Sequence, residues 1–274
     1  MPTAYRTLAL ALVTLLATLL LACLLPLTSA VLAQPATTVV SVPCLLCETR
    51  VSPDGTLIAV FENRNMVGDA APSPAVLAIT LIDTKTGRQV GRLTGQTDFA
   101  ADAAFAPDGK WLASVHTNGM LRLWDVKTRK LVWERQVNVG GGRLAFAPDG
   151  KTIVLQLPGV VGMFALVSRE TGAIDRLIGP RFKTMTEFQE RISEPLGSLG
   201  FTVSAWALAP DGKQIAAATA NDEVGLWNVA TGDYTMLRPP SEKKGLFNIR
   251  QLGFLPDGKS VYFSFRESNQ PEVW

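Results

Sequence analysis

Histidine is all but missing from this chain: His116 is the only one among 274 residues. Chemistry built on paired imidazoles is therefore excluded, and no serine or cysteine nucleophile motif lies beside His116. Cysteine is scarce too, with only Cys23, Cys44 and Cys47. A structural zinc site needs four ligands, so Cys44 and Cys47 lack the second half of one. Haem attachment needs histidine after the second cysteine, and Glu48 stands there. A redox pair needs a helix opening at its first cysteine, whereas strand-like runs flank this pair. Charged residues make up 18% of the chain, the net charge is +2, and no basic or acidic block occurs. That leaves no electrostatic case for nucleic acid or for an anionic membrane surface. No cofactor motif, catalytic set or metal-ligand set emerges.

Charge is also absent between Arg6 and Glu48. Leu8 to Leu25 is an apolar run that Pro26 breaks, and Val31-Leu32-Ala33 precedes Gln34. A short cationic start, an apolar stretch and this ending predict a secretory signal over 1–33. An uncleaved anchor is the alternative, because a run of 18 residues just spans a bilayer. Leu20-Leu21-Ala22-Cys23 resembles a lipoprotein box, which would make Cys23 a lipid anchor, although the segment after it is apolar rather than a polar tether. The three readings stay open. Each predicts an exported body, periplasmic, secreted or at the cell surface. There Cys44 and Cys47 would close a small disulfide loop or remain inert thiols.

What is present is a repeat. Pro-Asp-Gly occurs five times, with its aspartates at Asp54, Asp108, Asp149, Asp211 and Asp257, at intervals of 54, 41, 62 and 46 residues. Alternating runs flank the tripeptides, as in Ala103 to Ala106 before one and Trp111 to Val115 after it. Proline pre-sets the turn, aspartate bonds its own backbone and glycine accepts positive φ, so each tripeptide predicts a hairpin. A third run follows, Leu121 to Val126 in one unit and Val224 to Val229 in another, then a polar turn and a fourth run. The first unit is expected to have strands near 48–52, 56–61, 76–83 and 88–93. Three more four-strand units and a partial fifth, near 249–255 and 260–265, follow.

Phe-Ala-Pro-Asp-Gly-Lys-Trp-Leu-Ala-Ser at 105–114 and Leu-Arg-Leu-Trp-Asp-Val-Lys-Thr at 121–128 carry a resemblance to the WD-repeat family of β-propellers. The repeats are of the divergent, Pro-Asp-Gly-rich bacterial type. The likeness covers about 48–274 and implies an all-β propeller of four-stranded antiparallel blades serving as an interaction platform. Only Trp124-Asp125 keeps the name-giving pair, with Ile82-Asp83, Val167-Ser168 and Trp227-Asn228 elsewhere. The family's Gly-His dipeptide is missing. On that ground its histidine-centred hydrogen-bond network is expected to be absent, leaving cohesion to apolar packing. The segment 34–47 offers a closing strand at 38–42. The end at Trp274, inside a third strand, favours instead a truncated larger propeller.

In this architecture the Pro-Asp-Gly turns share one face. Two insertions then fall on the other. One is Glu62 to Ala75, with Arg64, Asn65 and Met66 as candidate partner contacts. The other is Gly179 to Gly200, where Thr184 and Glu187 fit a capping box and Phe182, Met185, Phe188 and Ile192 form a helical stripe. The stripe either packs onto the propeller or binds a partner. Gly140-Gly141-Gly142 opens a strand rather than a helix and reads as a connection. Asn221-Asp222-Glu223 reads as a solvated turn, His116 as structural or exposed, and Trp111, Trp133 and Trp206 as packing residues. The expected function is a non-enzymatic scaffold for an unidentified protein partner. The sensor portion of a longer protein is the alternative. One histidine and aspartates scattered over turns argue against a propeller enzyme acting at the central channel.

Overall fold

The computed structural model divides into two compact units, Met1–Thr37 and Thr38–Trp274. The residues described are 47–62, 77–137, 142–157, 163–179, 203–219, 222–239, 249–265 and 272–273. Every regular element bounded among them is a strand.

The first sheet is β1 (Cys47–Val51), β2 (Leu57–Glu62), β3 (Ile79–Asp83) and β4 (Gln89–Leu93), and the second is β5 (Ala100–Phe105), β6 (Trp111–His116), β7 (Met120–Asp125) and β8 (Lys130–Gln136). The third is β9 (Leu144–Phe146), β10 (Thr152–Leu157), β11 (Met163–Ser168) and β12 (Ile174–Ile178). The fourth is β13 (Val203–Leu208), β14 (Gln214–Thr219), β15 (Val224–Asn228) and β16 (Tyr234–Arg238). The fifth has three strands, β17 (Ile249–Phe254), β18 (Val261–Phe265) and the short β19 (Glu272–Val273). Within each sheet, strands pair in chain order and antiparallel. The strand phase read from the repeat is the one observed, although β3 begins three residues later than expected and β9 is shorter. The proposed closing strand at 38–42 lies outside the described residues.

The second, third and fourth sheets each pack between two others, which explains why their middle strands are apolar on both sides. In β6, Ala113 and Val115 join a core shared with the third sheet, while Leu112 joins one shared with the first. The third and fourth sheets meet around Phe164, Ile215 and Trp227, and the fourth and fifth around Val224, Ile249 and Phe263. First strands approach one another, β1 to β5, β5 to β9 and β13 to β17. Fourth strands are largely exposed. The sheets are therefore blades, with first strands innermost and fourth strands at the rim.

All five Pro-Asp-Gly tripeptides close the hairpin between first and second strands, as expected. In each, the glycine N–H donates to the residue before proline at 2.8–2.9 Å (Gly55 to Ser52, Gly109 to Ala106) and glycine φ lies between +64° and +73°. The turns also nest. A methyl added to Gly212 would lie 2.8 Å from the Pro148 ring, and one on Gly150 3.6 Å from Pro107. Successive turns thus share one face.

Candidate functional site

Of the residues singled out as partner contacts, Arg64, Asn65, Met66, Phe182, Met185, Phe188 and Ile192 lie outside the described residues, as do Cys23 and Cys44. Cys47 is disulfide-bonded. The site that the described residues do build is on the turn-bearing face, between the first two blades.

Its construction begins with the turn between third and fourth strands. The residue at the Trp-Asp aspartate position caps that turn. Asp125 Oδ1 accepts the Thr128 N–H at 2.7 Å, Asp83 that of Thr86 at 2.6 Å, and Asn228 that of Thr231 at 3.0 Å. This accounts for aspartate, asparagine and serine replacing one another there. The Thr128 N–H holds the Asp125 carboxyl below the ordinary range, and the Thr86 hydroxyl does so for Asp83. Four residues on, the chain enters left-handed φ at Gly87, Gly172 and Gly232, and in the second blade at Arg129, with φ 61°.

In the second, third and fourth blades this turn meets the fourth strand of the preceding blade, each time at the same register position. Trp133 of β8 lies against Gly172 and donates its indole N–H to the Arg169 carbonyl at 2.7 Å. Arg176 of β12 donates to the Ala230 carbonyl. Gly91 of β4 occupies the corresponding position in the first blade. Here the Arg129 side chain lies across the glycine: a methyl on Gly91 would fall 2.2 Å from Arg129 Nε.

Beside this contact opens a cleft of about 560 Å³. Leu57, Leu81, Val90 and Val126 give it apolar walls, and Lys110, Lys127 and Arg129 stand along it. Asp54, Asp108 and Asp125 also border it, each accepting backbone N–H groups of its own turn. The Ser52 hydroxyl, before the Thr56 contacts, holds the Asp54 carboxyl below its ordinary range.

Two buried polar arrangements were not foreseen. The expectation that no histidine-centred network forms is wrong for the second blade. The Trp124 indole N–H donates to Ser114 Oγ at 2.9 Å, Ser114 Oγ lies 2.9 Å from His116 Nε2, and His116 Nδ1 lies 3.1 Å from the Asp98 carbonyl. His116 reaches this chain from the end of β6, so no Gly-His dipeptide is needed. It is fully buried, and burial lowers its pKa to about 4. The second arrangement centres on Asp102 of β5. Its Oδ1 accepts from Arg50 of the first blade and from its neighbour Ala103 N–H at 2.8 Å, and its Oδ2 accepts the Leu144 N–H of the third blade at 2.9 Å. Burial pushes this carboxyl above its ordinary range, with Arg50 acting against that. The only clue in sequence is an acid set among alanines inside a strand.

Asp222 and Glu223 also depart from expectation, being buried rather than solvated. Asp222 Oδ1 accepts the Ile249 N–H of the fifth blade at 3.2 Å, and Glu223 accepts the Tyr234 hydroxyl. The turn is therefore a joint between blades. Among the described residues, no three of His, Cys, Asp and Glu gather as metal ligands do.

These features define a class: radially stacked four-stranded blades whose turns are capped at the Trp-Asp position. Residues 87–125, from the turn before β4 to Asp125, match the family model "WD domain, G-beta repeat". The repeat is a WD repeat, and the stack of sheets is of β-propeller type. Among solved structures, hydrazine synthase of Kuenenia stuttgartiensis is similar at 18% identity with a TM-score of 0.56, over 81% of this chain and 56% of that one. This chain thus spans little more than half the length of that neighbour, and the likeness is one of fold. No curated protein matches the chain.

Proposed function

We propose that this protein is an exported, non-enzymatic scaffold whose propeller presents a loop-bearing face to a protein partner. The observation that carries the reading is the stack of WD-type blades itself. Apolar seams join successive blades, and hydrogen-bonded turns hold their ends, so the loops between strands are displayed on a rigid support. The two insertions, 62–75 and 179–200, lie almost wholly outside the described residues, and on this reading Arg64, Met66 and Phe188 within them supply partner contacts. Export rests on the segment 1–33, with a cleaved signal as the preferred form and lipidation at Cys23 as the variant.

Affinity capture from the compartment where the protein resides tests this, with Phe188→Asp as the control. On this reading the variant keeps its thermal midpoint and captures less partner. If stability instead falls by about 2–5 kcal/mol, the stripe is packed on the propeller and the partner contact lies elsewhere. Cell fractionation with N-terminal sequencing tests export, and an intact Met1 on cytoplasmic protein would overturn it.

A further inference from the structure

The second and fourth blades both carry tryptophan at the Trp-Asp position of the third strand, but what lies beneath the indole differs. In the second blade Trp124, Ser114 and His116 form one run. The indole N–H donates to Ser114 Oγ at 2.9 Å, and that oxygen lies 2.9 Å from His116 Nε2. In the fourth blade the register sets Trp227 opposite Ile215 and Gly225 opposite Ala217. In the second it sets Trp124 opposite Leu112 and Arg122 opposite Ser114. Ala217 therefore takes the position of Ser114, and Thr219 that of His116. A polar group survives at each end of the run, while the side-chain oxygen between them is missing.

Both ends are then without a protein partner. Trp227 Nε1 and Thr219 Oγ1 are buried, and among the described residues neither makes a hydrogen bond. Trp227 and Thr219 are each 3% exposed and Ala217 is fully covered, so bulk solvent does not serve them. The side chains packed around the indole are apolar: Val154, Phe164, Ile178 and Ile215. An indole N–H and a hydroxyl in such a seam lose their hydration and gain nothing in return. The Tyr234 ring lies over Gly225 and so uses the room that an Arg122-like side chain would have filled. No polar side chain has moved into the place of the serine oxygen, because either orphaned group would then be bonded.

We propose that the fourth blade binds a single internal water molecule at the place of the missing serine oxygen, where it accepts the Trp227 indole N–H and hydrogen-bonds the Thr219 hydroxyl. A water oxygen is the size of the hydroxyl it replaces. It accepts from the indole, which can only donate, and it can donate to or accept from threonine. Two polar partners meet the requirement for retaining an internal water. The second blade thus closes its run with side chains, tryptophan to serine to histidine, and the fourth closes the same run as tryptophan to water to threonine.

The test compares crystal structures of the full chain and of Ala217→Ser, at a resolution that shows ordered water. The parent is expected to have one water peak within about 3.2 Å of both Trp227 Nε1 and Thr219 Oγ1. In Ala217→Ser the new Oγ should take that place and the peak should vanish. A parent with no density between the two groups, or a water that persists beside the new serine, would overturn the proposal. Thermal unfolding supplies an independent arm. Ala217→Val puts a methyl where the water sits and should lower the midpoint by about 3 °C or more, although it adds apolar volume. Trp227→Phe should then lower the midpoint less in the Ala217→Val background than in the parent, because the valine has already stranded the indole N–H. A valine variant as stable as the parent would mean a dry apolar space. An equal cost of Trp227→Phe in both backgrounds would mean that the valine acts by crowding alone, and either result removes the water.

Discussion

Ser114 sits beneath Trp124 in the second blade and takes its indole N–H at 2.9 Å. The fourth blade repeats the geometry without the acceptor. Trp227 pairs with Ile215 as Trp124 pairs with Leu112, which puts Ala217 at the Ser114 position and Thr219 at that of His116. Trp227 Nε1 and Thr219 Oγ1 are both buried and, among the described residues, without a hydrogen-bond partner. Ala217→Ser is expected to bridge them and raise stability by about 1 kcal/mol, read from chemical denaturation. The reciprocal Ser114→Ala should cost about 1–3 kcal/mol, because it strands two buried groups. A destabilised Ala217→Ser would show that the fourth blade has no room for the hydroxyl.

His116 predicts a pH dependence with a definite sign. Its folded pKa, about 4, lies below the ordinary 6.5 because the ring is buried, so the unfolded chain takes up the proton first. Stability should be undiminished above pH 6.5 and decline as pH falls from there toward 4, by up to about 3 kcal/mol from this residue. Protonation would also turn Nε2 from an acceptor of the Ser114 hydroxyl into a donor. His116→Gln should flatten that part of the stability–pH curve. An unchanged slope in the variant would assign it to other groups.

Trp133 and Leu131 are neighbours on β8 with opposite fates. Trp133 is buried against the third blade, whereas Leu131 is 42% exposed. Trp133→Ala should cost about 3–5 kcal/mol, and Leu131→Ala should stay within about 0.5 kcal/mol of the parent. Equal effects would mean that the seam between second and third blades does not depend on the indole.

The nesting of the turns can be weighed with two glycines. Gly55 and Gly212 have φ of +71° and +73°, yet a methyl on Gly55 meets nothing within 4 Å while one on Gly212 meets the Pro148 ring at 2.8 Å. Gly55→Ala should therefore show backbone strain alone, about 1 kcal/mol. Gly212→Ala should lower the thermal midpoint further. Identical midpoints would show that the third and fourth turns do not bear on one another.

The strands were legible because each hairpin is encoded within a dozen residues. Pro-Asp-Gly fixes the turn, and runs such as Trp111–His116 leave no other way to bury both faces. The cap at Asp125 was legible for the same local reason. The contacts of Asp102 were not, since Arg50 and Leu144 lie 52 and 42 residues away and only the stacking of blades brings them together. The network around His116 was missed because the Gly-His dipeptide was taken as its signature, whereas here the end of a strand delivers the ring to Ser114, and the structural reading of His116 itself holds. The cleft was invisible for a related reason. Gly91 and Arg129 are unremarkable singly and acquire meaning only against Trp133 and Gly172 at the next junction.

Propellers are usually treated as one-dimensional arrays, in which each unit is coupled to its immediate neighbours and the total stability is a sum over adjacent pairs. Asp102 breaks that rule. One carboxylate on the second blade holds a side chain of the first and a backbone amide of the third, so the first and third blades are coupled through it. Asp222 joins the fourth blade to the fifth. The array therefore has a second-neighbour term among its first three blades. The first three blades are therefore tied by one buried carboxylate as well as by their apolar seams.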